Sequence, residues 1–183
     1  MGLEQNSVGD FPEVAETAFV HGTATLIGHV VVQERVFIGP NAVLRADEPS
    51  PDGTVKPVVI CEDANVQDCV VVHALAGTRV SIGRDSSVAH SVVIHGPCQI
   101  GSNCFVGFNS VVFKATLGDG VVVMHQSLVE SVTVPPGLYV PSMTPVRGEA
   151  DIGCLTPASP DMIAFAREVS RTNVLLARTS LER

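Results

Sequence analysis

The stretch IGRDSSVAHSVVIHGPCQIGSNCFVGFNSVV, residues 82–112, places an aliphatic residue at every sixth position: Ile82, Val88, Ile94, Ile100, Val106 and Val112. A small residue follows several of them, as in Ile82-Gly83, Val88-Ala89, Ile100-Gly101 and Val106-Gly107. A period of six fits neither the roughly 3.6-residue repeat of an α-helix nor a simple strand alternation. It fits a parallel β-helix, in which each hexapeptide supplies one flat side and one corner of a triangular prism. Three sides make an 18-residue coil, with the aliphatic residue pointing inward and the small one letting the chain turn.

The same frame runs back through Val72, Val66 and Ile60, with Ile27 and Ile38 as earlier turns, and it resumes one residue short at Leu117, Val123 and Val129. Two gaps interrupt it. Leu44 to Ile60 is 16 residues and Val72 to Ile82 is 10, so 10 and 4 residues bulge from corners near Asp47–Pro57 and Ala74–Thr78. The expected architecture is a single domain over 1–183, all-β with one C-terminal helix. The β-helix is expected over 15–135, followed by a linker, 136–158, that begins at PPGLYVP. Ser159-Pro160-Asp161 then reads as an N-cap, a proline at the first helical position and an acid in the first turn. The helix, 159–181, carries an apolar stripe at Met162, Phe165, Ala166, Val169 and Leu176 and is expected to pack along the prism.

Composition agrees with strands. Hydrophobic residues make up 45% of the chain, aromatics only 4%, and Trp is absent, so the apolar mass is Val, Ile, Leu and Ala. A net charge of -8, with no basic and aromatic interleaving, argues against nucleic acid as a partner. The N-terminus has neither a basic flank nor an apolar run, and no segment is long enough to span a membrane. A cytoplasmic protein without a membrane partner is expected. Cys61, Cys69, Cys98, Cys104 and Cys154 form no C-x-x-C pair and read as reduced packing residues.

The hexad frame sorts the histidines. His73 and His95 each follow an inward aliphatic and lie 22 residues apart, one 18-residue coil plus the four-residue loop. They belong to one column in adjacent coils, where strands lie about 4.8 Å apart. Two imidazoles so placed can converge on one ion at Zn–N distances of about 2.0–2.1 Å. His90 belongs to a different column and cannot join its own chain's pair; threefold association would bring it to the pair of a neighbouring subunit. Three imidazoles with one open position form a catalytic zinc site. Arg45 falls one coil before His73, Asp68 lies 22 residues before His90, and Gln67 is beside Asp68; these polar residues read as supports for the imidazoles. Arg45 with Asp47 is expected to form an ion pair between subunits that also walls the site. His21, His29 and His125 read as ordinary core or surface histidines.

On these residues the chain resembles the γ-class carbonic anhydrases. The matching pieces are Arg45-Ala46-Asp47-Glu48, Asn65-Val66-Gln67-Asp68, His73-Ala74-Leu75 and His90 through His95-Gly96-Pro97. Further matches are Cys104-Phe105-Val106-Gly107-Phe108 and the PPGLYVP segment. The likeness extends to the γ-carbonic-anhydrase-like domain of a carboxysome scaffold. It implies a left-handed β-helix assembled as a homotrimer, with Zn2+, or Fe2+ or Co2+, at each subunit interface. It implies that His73 and His95 of one subunit and His90 of the next bind the metal. It further implies that Gln67 contacts the metal-bound hydroxide, that Asn65 and Asp68 support it, that Arg45 pairs with Asp47 across the interface, and that Glu48 acts near the water or bicarbonate. The implied reaction is reversible hydration of CO2 to bicarbonate. Two alternatives share the pattern: a metal-binding trimeric scaffold with little activity, and a hexapeptide acyltransferase, which would need one catalytic histidine and no metal.

Overall fold

In the computed structural model, which describes residues 2–182, the chain winds into a parallel β-solenoid of about seven turns with a helix at its C-terminal end. Side one stacks eight short strands and side two stacks seven; side three stacks eight, the last of them, Thr156–Pro157, running antiparallel to Leu138–Val140. Every inward aliphatic residue sits on its equivalent one coil away. Val72 pairs with Leu44 on one side and Ile94 on the other, and Ile82 with Ile60 and Ile100. These residues are sealed in the prism, each at 2% exposure or less. Burial of each such side chain contributes roughly 1.5–3 kcal/mol.

The corners require a chain reversal in few residues, and many use the left-handed region. Asn41, Asp63, Asp85, Asn103 and Asn109 have φ between 55° and 59°, which their short polar side chains tolerate. Gly28, at φ 75°, has no alternative: a Cβ there would lie 2.1 Å from the Ala46 carbonyl oxygen.

The coil extends beyond 15–135 at both ends. Strands Gly2–Glu4 and Glu13–Val14 precede it, and the stretch read as a linker holds strands Leu138–Val140, Pro145–Val146 and Thr156–Pro157 and a short helix, Glu149–Ile152. The five-residue step before Leu117 recurs before Val134, after which Val140 and Val146 resume the count, fully buried. Pro135 does not stop the coil because side two ends at Thr133–Val134, so a missing N–H there leaves no ladder bond unmade. Ile27 is also misassigned. Leu26 is the buried residue, and Ile27 faces outward in register with Arg45. Alternate residues of a strand face opposite ways, and counting back in sixes from Ile38 lands on Leu26.

The C-terminal helix, Pro160–Leu181, begins with Ser159 Oγ accepting the Met162 N–H at 3.3 Å. Its buried face is Ala166, Ser170, Asn173 and Ala177, not the large apolar residues: Phe165 and Leu176 are each 44% exposed. Small residues let the helix lie close to side three, where it covers Phe105, Ala89 and Val122, while its bulky residues flank the contact. Replacing Ile94 by Ala should lower stability by about 2–5 kcal/mol in urea unfolding. Ile27→Ala should cost clearly less, and the order of the two variants checks the frame.

Candidate metal centre

His73 and His95 end the side-one strands Val71–His73 and Val93–His95 and pair directly with each other. Their rings meet edge to face at 4.8 Å between centroids, with His73 Nδ1 3.1 Å from His95 Nε2. Two nitrogens that close can both lie about 2.0–2.1 Å from one zinc ion. The surroundings are undersatisfied: His73 Nε2, His95 Nδ1 and Asp47 Oδ1 are buried without hydrogen-bond partners. Buried polar atoms are rarely left so unless something else completes them. Among the described residues of the one chain, no group of three His, Cys, Asp or Glu could hold a metal. The converging pair, His73 Nδ1 and His95 Nε2, fits an ion on its spacing but supplies only two ligands.

The two bulges in the repeat meet at this pair. Arg45, one coil below His73, holds Asp47 within its own chain, with Nη2 3.0 Å from Oδ2. Asp47 Oδ1 and Glu48 Oε1 stand 3.8 and 3.3 Å from His73 Nε2. The other Glu48 oxygen accepts the Ala76 N–H at 3.1 Å, so the four-residue bulge fixes the carboxylate that the ten-residue bulge delivers. The longer loop is anchored in turn by His29, whose Nδ1 is 3.0 Å from the Val55 carbonyl oxygen.

His90 stands elsewhere, on the edge between sides three and one, after the strand Ser87–Val88. Its side chain is half exposed, and its Nδ1 lies 3.7 Å from Asp68 Oδ2. Under the helix, Gln67 Nε2 donates to Asn65 Oδ1 at 3.0 Å, and Asn65 Nδ2 donates to Ser87 Oγ at 2.7 Å, in a buried chain. A groove of about 670 Å³ opens between this edge and the helix, lined by Gln67, Asp68, His90, Phe108, Phe165 and Leu176 among others. One chain thus carries two half-sites on separate edges: His73, His95, Arg45, Asp47 and Glu48 on one, and His90, Gln67, Asp68 and Asn65 on the other.

Hexad counting gave the columns of Arg45, His73, His95, His90, Asp68 and its neighbour Gln67, whereas Asn65 and Glu48 followed only from the family resemblance and Asp47 from its pairing with Arg45. It missed the Ala76 N–H on Glu48 and the rings that stack on His90. Phe108 lies 5.3 Å from His90 and His125 lies 4.4 Å from Phe108, between ring centroids. Spacings of 18 and 17 residues from His90 to Phe108 and on to His125 carried that signal. Cys98 and Cys104 are buried with their thiols on backbone carbonyls; burial pushes Cys104 up to about 11. No disulfide forms among the described residues.

Residues 79–114 match the family described as bacterial transferase hexapeptide (six repeats). The chain is 38% identical over 174 residues to the carboxysome assembly protein CcmM of Nostoc, covering 90% of this chain and 30% of that protein. It is 30% identical over 169 residues to a carbonic anhydrase of Methanosarcina thermophila, covering 82% of this chain and 66% of that enzyme. The chain belongs to the hexapeptide-repeat family, among its γ-carbonic-anhydrase-like members. It spans no more than about a third of the carboxysome proteins it matches. A crystal structure of a hexapeptide transferase family protein from Anaplasma phagocytophilum superposes with a TM-score of 0.80 at 26% identity, covering 97% of each chain. Among the described residues, no helix is long and apolar enough to cross a membrane.

Burial is the main cause lowering the His73 pKa from 6.5, opposed by the nearby Glu48 carboxylate. The metal-free folded state therefore binds a proton at His73 less readily than the unfolded chain. This contribution to stability is present above about 6.5 and is lost as pH falls through the unfolded value toward the lower folded one. Acid titration of the metal-free protein should show His73 charging below 6.5 by NMR. His73→Gln should reduce the loss of stability over that interval.

Proposed function

We propose that the chain forms a homotrimer with a divalent metal at each subunit boundary and interconverts CO2 and bicarbonate there. The observation that carries this reading is the split donor set: two imidazoles whose nitrogens converge to 3.1 Å on one edge, and a third imidazole beside a buried amide chain on another. His73 and His95 of one subunit and His90 of the next would hold the metal. Zinc suits three neutral imidazoles, and iron(II) or cobalt(II) accept the same set. When bound, the metal supplies the Lewis acidity that makes water nucleophilic near neutral pH.

The chain's own residues account for the remaining chemistry. Gln67 gives an amide N–H to Asn65, which leaves its carbonyl oxygen to accept a hydrogen bond from the attacking water and so orient it. Asn65, fully buried on Ser87, keeps that amide from rotating. Asp68 faces His90 Nδ1 and favours the tautomer with a free Nε2. Glu48, held by Ala76 and facing the His73 ring, can take the proton released as bicarbonate forms. Arg45 holds Asp47 in place beside His73.

A second reading, a metal-binding trimeric scaffold with little activity, is favoured by the Ala74–Arg79 bulge. It carries no acid, and so adds no further proton acceptor beside the site. Stopped-flow CO2 hydration by zinc- and iron-loaded protein separates the readings, since a scaffold binds metal without exceeding the buffer rate. His90→Ala should lose both metal, by elemental analysis, and activity. Glu48→Gln should keep the metal and slow hydration by about 10²–10⁴-fold. A strong chelator should shift the chain toward monomers in sedimentation, because the ligands come from two subunits.

A further inference from the structure

Two edges of the prism carry matching ladders. On the edge between sides three and one stand Asp68, His90, Phe108 and His125, one per coil. Ser91, Asn109 and Gln126 each donate their N–H to the carbonyl of the preceding rung, Asp68, His90 and Phe108. On the edge between sides one and two stand Arg45, His73, His95, Phe113 and Glu130, paired in succession. Each rung of the first ladder precedes its counterpart on the second by five residues: His90 and His95, Phe108 and Phe113, His125 and Glu130.

Adjacent coils are separated by about 4.8 Å on both edges. In a ring of identical subunits around an axis along the solenoid, equivalent residues lie at equal height. The height that brings His90 to the partner subunit's His73 and His95 therefore also sets the rungs beyond. Phe108 comes opposite the partner's Phe113, and His125 comes opposite the partner's Glu130.

These rungs have open valences. Phe108 is 38% exposed, although one face of its ring stacks on His90 and the other on His125. His125 Nδ1 accepts the Phe108 N–H at 3.0 Å, so the neutral ring carries its proton on Nε2, a donor with no partner among the described residues. Glu130 is half-buried and makes no ion pair among the described residues, although Arg147 follows it in the column and Lys114 sits over the Phe113 ring. At the opposite end the same five-residue step sets Asp68 opposite the partner's His73, so a carboxylate faces an imidazole at both ends.

We infer that a second copy of this chain is clamped beyond the metal by Phe108 packing on Phe113 of the partner subunit and by His125 donating to Glu130 of the partner subunit. The inference rests on the three-histidine reading, which sets the relative height of the subunits. Alanine-free charge variants test it, by sedimentation velocity of the zinc-loaded full chain over a dilution series at neutral pH. His125→Glu opposes two carboxylates at each boundary and should raise the concentration at which half the chains are assembled by about tenfold or more. Adding Glu130→Lys to that variant should restore assembly to within about threefold of the unaltered chain. A purely local fault at His125 would not be repaired by a change on the other edge. Assembly unchanged in His125→Glu, or no rescue by Glu130→Lys, overturns the inference. The three-histidine reading then survives if zinc content still depends on His90. An unaltered chain that stays monomeric with zinc present overturns both.

Discussion

The structure depends on parallel, in-register pairing between coils. Each strand is only two to four residues long, too short to be stable alone, and gains its place from the strands above and below. Register cannot slip by one residue, because alternate residues face opposite ways and a slip would turn the whole aliphatic column out of the prism. The chain can therefore take up or lose residues only where a corner loops out, and both large bulges lie at the same edge.

That constraint makes columns the unit of chemistry. A residue type repeated at one hexad position becomes a stack with a spacing set by the backbone, not by flexible side chains. His73 and His95 are held together in this way, with no need for a loop to fold over and bring them close. The bulges then deliver what a regular coil cannot. Glu48 approaches His73 from the longer one, and the backbone of the shorter one holds its second oxygen. A flat prism has no cleft of its own, and the groove beside His90 exists because the C-terminal helix stands against side three.

Counting in sixes made much of this legible. The positions of Leu44, Val72, Ile94 and Val112 followed from spacing, as did the juxtaposition of Arg45, His73 and His95. The last coils were hidden because two prolines resemble a stop signal, and only the absence of a further strand on side two makes Pro135 harmless. The helix stripe was hidden because a helical wheel ranks residues by size and polarity. The flatness of side three selects the small ones, Ala166, Ser170, Asn173 and Ala177, for the closest contact. The stack of His90, Phe108 and His125 was written in the spacing, but its significance depends on those rings sharing an open edge.

The sequence by itself determined the period, the inward column and the coil-to-coil neighbours of each residue, because a repeat of six with fixed register leaves no freedom in that direction. Only the tertiary structure decided what happens across the coil: which backbone N–H meets Glu48, which oxygen of Glu48 is held and where the helix settles. Those contacts join residues that no common period relates, and they are set by the width of the prism and the packing of side chains against it.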